Sequence, residues 1–458
     1  MSAQNYCKKL VNPIHALVNE WFYFCLQLNN KIVAGILFTL NTWLYIMRLR
    51  MLAAYNKNAR LSLRGKEKIL AEIKKIFKKN QSLIIWMHCE SIGEYEQGLP
   101  LLQLLKKQFP LYKIIVTFFS AEGYEAKKND NAADYIFYLP FNYKKNAQEF
   151  INVINPKIVL WIKHKHSFFY VEELKKRNIS SLLIAEVFNS SQSYFKWYGN
   201  LQRLMLKNYT HFFVQDENSK TLLSTINIIQ NVIVSGDTRF DRVIEIANQF
   251  TPILLIEEFC GINNPVIVAG STWEEDEEEM DHYANTHPEI KFIIAPHNLD
   301  EEHLQNIKKL FKNSIYFSEL TEAILNIEFQ ISNNAAHVLI IDNIGMLSQL
   351  YKYATITYVG GGFVDDGVHN VLEAAVYGKP VVFGPVIDDY IEAIELVDCG
   401  GGIVVDNALE MEKTFNRLLI NAHEYIACCE AAKNYVYSKK GAAEIIINHI
   451  QEKRLLTN

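Results

Sequence analysis

The sequence predicts an α/β protein of two Rossmann-like domains facing across a cleft, with an N-terminal membrane-associated helix. Three observations predict it. From about Ser82, short apolar runs alternate with helical stretches in two successive series, the pattern of parallel sheets covered on both faces. The chain has 458 residues, more than one ordinary core organises. The stretch from Tyr358 to Pro385 reads as strand, glycine turn, helix and strand, the local grammar of a nucleotide site.

The elements follow in order. Ile32–Met47 is strongly apolar, with Asn41 and Thr42 as its polar breaks, and Ile14–Leu26 before it is aromatic and apolar but interrupted. A basic flank follows at Arg48, Arg50, Lys57, Arg60, Arg64 and Lys66. The positive-inside bias puts that flank and all that follows in the cytoplasm. The apolar segment either spans or lies in the interface, and the alternative is a buried core helix. No small-residue cleavage site follows it, against a signal peptide. The first series has strands at Leu83–His88, Lys113–Phe118, Ile158–Ile162, Ser181–Ala185, His211–Val214 and Asn231–Val234, with helices over Gly98–Gln108, Glu122–Lys128 and Val171–Arg177. The second has strands at Val266–Ala269, Phe292–Ala295, Val338–Ile341, Ile356–Val359 and Val381–Phe383. The domains expected are 1–58 (membrane anchor), 59–240 (first Rossmann-like domain) and 241–458 (second Rossmann-like domain). A final helix, about Glu410 to Glu452, is placed to cross back to the first domain.

Composition narrows the function. A formal net charge of −5 argues against nucleic acid as a partner. Seven cysteines without a CxxC pair fit a reduced cytosolic body, and no zinc spacing is present, so neither metal nor cofactor is expected.

The strand ends carry the chemistry. In the turn Gly360–Gly362, glycines let backbone approach a ligand, and a helix opening near His369 and Asn370 offers free N–H groups to a phosphate. Glu373, one turn inside, suits two ribose hydroxyls. Gly270, Ser271, Thr272 and Trp273 end one strand with hydroxyls that either meet an oxyanion or cap the next helix. The acidic run Glu274–Glu279 reads as a solvated first turn. Pro296 and His297, and Asp342 to Gly345, end two further strands. In the first series the stretch from His88 to Glu94 follows a strand directly. Glu94 there either takes a proton from an attacking hydroxyl or caps its helix, and Glu90 and Glu96 are rivals for the first role.

These residues resemble a known family. HCESIGEYEQGLP, TFFSAEGYE, VQDENSKTLL, SGDTRFDRV, GSTWEEDE, APHNLDEEH, IIDNIGMLSQLY and GGGFVDDGVHNVLEAAVYGKPVVFGP occur in the order seen in 3-deoxy-D-manno-octulosonic acid (Kdo) transferases, from about Met51 to the end. That family assembles lipid A and lipopolysaccharide core at the membrane. The resemblance implies a GT-B glycosyltransferase with CMP-Kdo as donor and a lipid A precursor as acceptor, inverting and without a metal. It implies Glu94 as catalytic base. It implies a donor site of Gly270, Ser271, Thr272, Trp273, Pro296, His297, Asp342, Ile344, Gly345, Gly361, Gly362, His369, Asn370 and Glu373. Acceptor-side candidates are Ser91, Gly93 and Lys163. The departures gather on the acceptor side. Glu90 stands for the usual Ala, Leu99 for an Arg, KHKHSFF from Lys163 for a Lys-Tyr-Glu-x-Trp block, and Ala185–Asn189 for Ser-x-x-Phe-Arg; on the donor side Asn298 replaces a Glu. The alternatives are a membrane-tethered nucleotide-sugar-binding protein with reduced catalysis, or a GT-B transferase for another nucleotide sugar.

Overall fold

The computed structural model describes residues 31–78, 82–163, 167–325 and 336–457. The Ile14–Leu26 segment and the residues directly after Lys163 lie outside them. The chain divides into two units, 1–238 with 441–458, and 239–440.

The first unit is built on β1 (Leu83–Cys89), β2 (Tyr112–Phe118), β3 (Tyr135–Tyr138), β4 (Pro156–Ile162), β5 (Ser180–Glu186), β6 (His211–Val214) and β7 (Val232–Val234). All pairs are parallel, in the order β3-β2-β1-β4-β5-β6-β7. Burial on both faces explains why β1 is apolar from Leu83 to Met87. Ile84 and Trp86 enter the core on one face of the sheet, and Ile85, Met87 and Cys89 the core on the other. The second unit repeats the scheme with β8 (Val266–Thr272), β9 (Lys291–Pro296), β10 (Ser314–Tyr316), β11 (Val338–Ile340), β12 (Ile356–Val359), β13 (Val381–Phe383) and β14 (Gly402–Val404). Its order is β10-β11-β9-β8-β12-β13-β14, again parallel.

Helix α1 (Lys31–Leu52) carries the apolar segment with Arg48 and Arg50 at its end, and α2 (Lys57–Phe77) the rest of the basic flank. One face of α1 packs on the first unit. Phe38 stacks on Phe168 with centroids 4.5 Å apart, Thr42 donates to the Asn142 carbonyl at 3.1 Å, and Ile46 and Leu49 share a cluster with Ala59 and Phe141. The opposite face exposes Ile36, Leu40, Trp43, Met47 and Met51. Among the described residues no helix is long and apolar enough to cross a membrane. Lys66, counted with the basic flank, is buried rather than at the surface.

The single terminal helix expected over about Glu410–Glu452 is three: Ala408–Ile420, Ala422–Ser438 and Ala442–Glu452. Asn421 caps the second, and Gly441, at φ +107°, breaks the chain before the third. That last helix buries Ile446, Ile447 and Ile450 in the first unit's core beside Met87.

Candidate active site

Near the middle of each sheet the chain order reverses, and in open α/β sheets ligands gather at the carboxyl ends of the strands there. In the first sheet this point lies between β1 and β4, and in the second between β8 and β12.

At the first, β1 runs through Glu90 into helix α3 (Ile92–Gln108). Ser91 is the N-cap: its Oγ accepts from the Glu94 N–H at 3.3 Å, while Glu94 Oε2 accepts from the Glu90 N–H at 2.5 Å. This reciprocal pair is close to a capping box, and it explains why α3 starts at Ile92 rather than at the expected Gly98. Gly98 instead lets the helix approach β1, since a Cβ there would lie 2.7 Å from Met87 Sδ. Glu94 is 7% exposed. A Cβ on Gly93 would meet Ser91 Oγ at an unstrained 4.0 Å. The turn is held from β2's side, where Phe119 N–H donates to the Cys89 carbonyl and Ser120 N–H to the Glu90 carbonyl. Of its rivals, Glu96 pairs with Lys127 at 2.6 Å, and the Glu90 charge acts on Lys66 and Tyr45. Lys163 follows β4 directly, at φ +57°. His88 sits beneath, its Nδ1 2.9 Å from Thr117 Oγ1, and burial pushes its pKa down to about 3.

At the second point the parts interlock. Gly360 N–H donates to the Gly270 carbonyl at 2.9 Å, and Gly361 N–H to Asp276 Oδ2 at 2.8 Å. A Cβ on Gly360 would lie 2.4 Å from the Ser271 carbonyl oxygen, and Gly362 lies as tightly against Gly384. The glycines therefore serve backbone-to-backbone packing, and two of their three amides are already engaged. The helix expected near His369 is one turn, Leu372–Ala375, too short to present a macrodipole to a phosphate. Asn370 accepts from the Leu372 N–H at 3.2 Å and donates to Glu373 Oε1 at 2.9 Å.

Three rings meet above this turn. Trp273 and His369 are nearly coplanar, Trp273 Nε1 donating to His369 Nε2 at 2.9 Å, and His297 stacks on both, with centroids 4.7 and 4.5 Å away. Because Nε2 accepts, the His369 proton sits on Nδ1. Burial, then the neighbouring His297, holds its pKa below the ordinary value. His297 N–H donates to the Thr272 carbonyl at 2.9 Å, fixing the Pro296 turn against β8. The Thr272 hydroxyl donates to Glu277 Oε1 at 2.7 Å and is engaged within the protein. Ser271 adopts φ +55° at a β-bulge. Asp342 accepts from the Ser318 N–H and hydroxyl; Gly345, at φ +100°, turns the chain, and Ile344 is exposed.

Asp276 and Glu277 were not singled out in the sequence. Neither belongs to a solvated turn: they are 0% and 2% exposed. Asp276 accepts from Tyr358 Oη at 2.6 Å, the Gly361 N–H at 2.8 Å and the Trp273 N–H at 2.9 Å, so one carboxylate joins β8, β12 and the glycine turn. Burial raises its pKa while these bonds oppose the rise. Glu277 contacts His303 Nε2 at 2.9 Å. The signal was the spacing, since Asp276 stands three residues after Trp273, in capping register. Among the described residues no group of three His, Cys, Asp or Glu side chains is placed to hold a metal ion.

The architecture is that of GT-B-like proteins, two parallel sheets of seven strands each. Solved structures agree on the fold. UDP-GlcNAc 2-epimerase from Neisseria meningitidis superposes with a TM-score of 0.58 at 18% identity, over 81% of this chain and 100% of that one. The corresponding epimerase of Methanocaldococcus jannaschii gives 0.52 at 15%, over 81% and 100%. Residues 59–242 match the sequence model of the 3-deoxy-D-manno-octulosonic-acid transferases. The transferase of that name from Aquifex aeolicus is 26% identical over 74% of this chain and 87% of its own length, and that of Rickettsia prowazekii 25% over 81% and 78%. A bifunctional glycosyltransferase/methyltransferase of Fusobacterium nucleatum is 27% identical over 81% of this chain, a match spanning 55% of that protein. The chain is thus similar to the Kdo transferases, by the family model over residues 59–242 and by these relatives over most of its length.

Proposed function

We propose that this enzyme transfers Kdo from CMP-Kdo to a hydroxyl of a lipid A precursor in lipopolysaccharide biosynthesis, with inversion and without a metal, at the cytoplasmic face of the inner membrane. The observation that carries the reading is the position of Glu94: a buried carboxylate at the switch point of the first sheet, inside the matched residues 59–242. Glu94 takes the proton of the acceptor hydroxyl as its oxygen attacks the anomeric carbon, and CMP leaves from the opposite face. Ser91, Gly93 and Lys163 border the acceptor. On the donor unit, Nδ1 of His369 and the imidazole of His297 suit the leaving phosphate, the ring stack suits the base or sugar, and Glu373 suits the ribose. The exposed apolar face of α1, flanked by exposed Arg48, Arg50 and Arg64, supports a helix lying in the interface of an anionic leaflet.

One observation favours a second reading, a nucleotide-sugar-binding protein without transfer: the Glu94 carboxylate already accepts from the Glu90 N–H. CMP release in the presence of CMP-Kdo and tetra-acylated lipid A precursor separates the two. Transfer predicts acceptor-dependent release; binding alone predicts a thermal shift with CMP and no release.

A further inference from the structure

A cavity of about 370 Å³ lies between α1, α2 and the chain following β3, lined by Trp43, Met47, Arg50, Lys66, Leu70 and Phe141 among others. Its volume falls within the roughly 300–1,000 Å³ of small-molecule sites. Lys66 is its unusual member. Lysines are almost never fully buried without a partner, yet Lys66 is 2% exposed. Its amine lies 3.4 Å from the centre of the Phe119 ring, with the Tyr45 and Phe141 rings also around it, and its hydrogen bond to Tyr45 Oη is long, at 3.5 Å. Burial lowers its pKa to about 7, and the charge of Glu90, the residue standing where the family has Ala, only partly opposes this. An anion entering the cavity restores what desolvation removed. A second cation, Arg50, stands at the same wall; its contact with Glu67 is 3.4 Å long between half-exposed side chains, so an incoming anion displaces Glu67 at little cost. Apart from Tyr143 and Asn146 the remaining wall is apolar, and Trp43 and Met47 belong both to it and to the exposed apolar face of α1. One end of the cavity is thus cationic and the other continues into a lipid-compatible surface.

We propose that this cavity binds a phosphate together with the adjoining acyl carbons of an acylated phosphosugar, seating the acceptor lipid by the junction of its headgroup and chains. The identity of that lipid rests on the proposed function; the cavity's chemistry does not. The volume admits the junction and excludes the chains as a whole, which remain against the α1 face.

The test uses the full chain without donor. Titration with dodecyl phosphate, dodecyl maltoside and inorganic phosphate, below micelle formation, is followed by calorimetry for the wild type and Lys66→Met. The wild type is expected to bind dodecyl phosphate at least about ten-fold tighter than either comparison probe. Lys66→Met is expected to lose about ten-fold for dodecyl phosphate and nothing for the maltoside, with an unchanged or higher Tm, because methionine fills the same ring cage without a buried amine. Equal dodecyl phosphate binding by Lys66→Met and wild type, or equal binding of dodecyl phosphate and dodecyl maltoside by the wild type, overturns the proposal. Should Lys66→Met fail to fold, quenching by 12-bromododecyl phosphate decides: it is expected to fall in Trp43→Phe, and quenching unaltered by that change overturns the proposal. Phosphate-selective binding with no sugar transfer counts against the transferase reading alone; transfer without phosphate selectivity counts against this cavity alone.

Discussion

Glu94 has two tasks that a single substitution separates. Glu94→Gln keeps an oxygen to accept the Glu90 N–H, so Tm is expected within about 2–4 °C of wild type, while transfer falls by at least about 100-fold with CMP-Kdo binding intact. Glu94→Ala additionally loses the cap, about 1 kcal/mol of stability. Near-normal turnover by Glu94→Gln in a CMP-release assay leaves Glu94 as a cap only. The sequence showed both tasks and could not choose, because a carboxylate three residues after Ser91 satisfies each. Asp276 was hidden by the opposite difficulty. An acidic run normally faces solvent, and only the tertiary approach of Tyr358 and Gly361 turns one of its members inward. Asp276→Ala strands three donors, at about 1–3 kcal/mol for each one left buried and unsatisfied, and is expected to weaken CMP binding with it. An unchanged Tm and an unchanged CMP titration would contradict that role.

At the scale of elements, the strands that periodicity found are mostly those paired on both sides. The three it missed, β3, β10 and β14, are edge strands of three or four residues, held by one neighbour. Helix lengths were less legible. Contact with the rest of the fold decided that the helix after His369 stops at one turn and that the terminal helix breaks at Gly441, where φ is positive. The glycine turn was read as an approach to a ligand; the close approach seen at Gly360 and Gly362 is to the protein's own backbone. Gly360→Ala drives a methyl against the Ser271 carbonyl and is expected to cost about 1–3 kcal/mol, seen as a lower Tm, and to loosen the β8 bulge beside Trp273. A tolerated alanine would mean that the two loops are free to part.

For the molecule as a whole, both the pattern of two α/β series and the similarity to the Kdo transferases were legible, and chain continuity was not: 441–458 belong to the first unit although they follow the second. Removing 441–458 strips Ile446, Ile447 and Ile450 from that core, at about 1.5–3 kcal/mol each, and is expected to lower the first unit's stability before the second's. Acid acts on the same unit. His88 titrates near 3 when folded and near its ordinary value when unfolded, so its contribution is complete above about pH 6.5. As pH falls from there toward 3 the unfolded chain takes the proton first, and stability declines by up to about 1.4 kcal/mol per pH unit. The pH dependence of denaturant midpoints checks this, with a flatter profile expected for His88→Gln. Transfer is expected to survive treatment with a chelator.

The central claim is tested most directly by mass spectrometry of the lipid product after the purified chain is incubated with CMP-Kdo and tetra-acylated lipid A precursor. The account predicts an acceptor heavier by whole Kdo residues with the wild type and an unmodified acceptor with Glu94→Gln. An unmodified acceptor with the folded wild type, or equal product from both proteins, would contradict it.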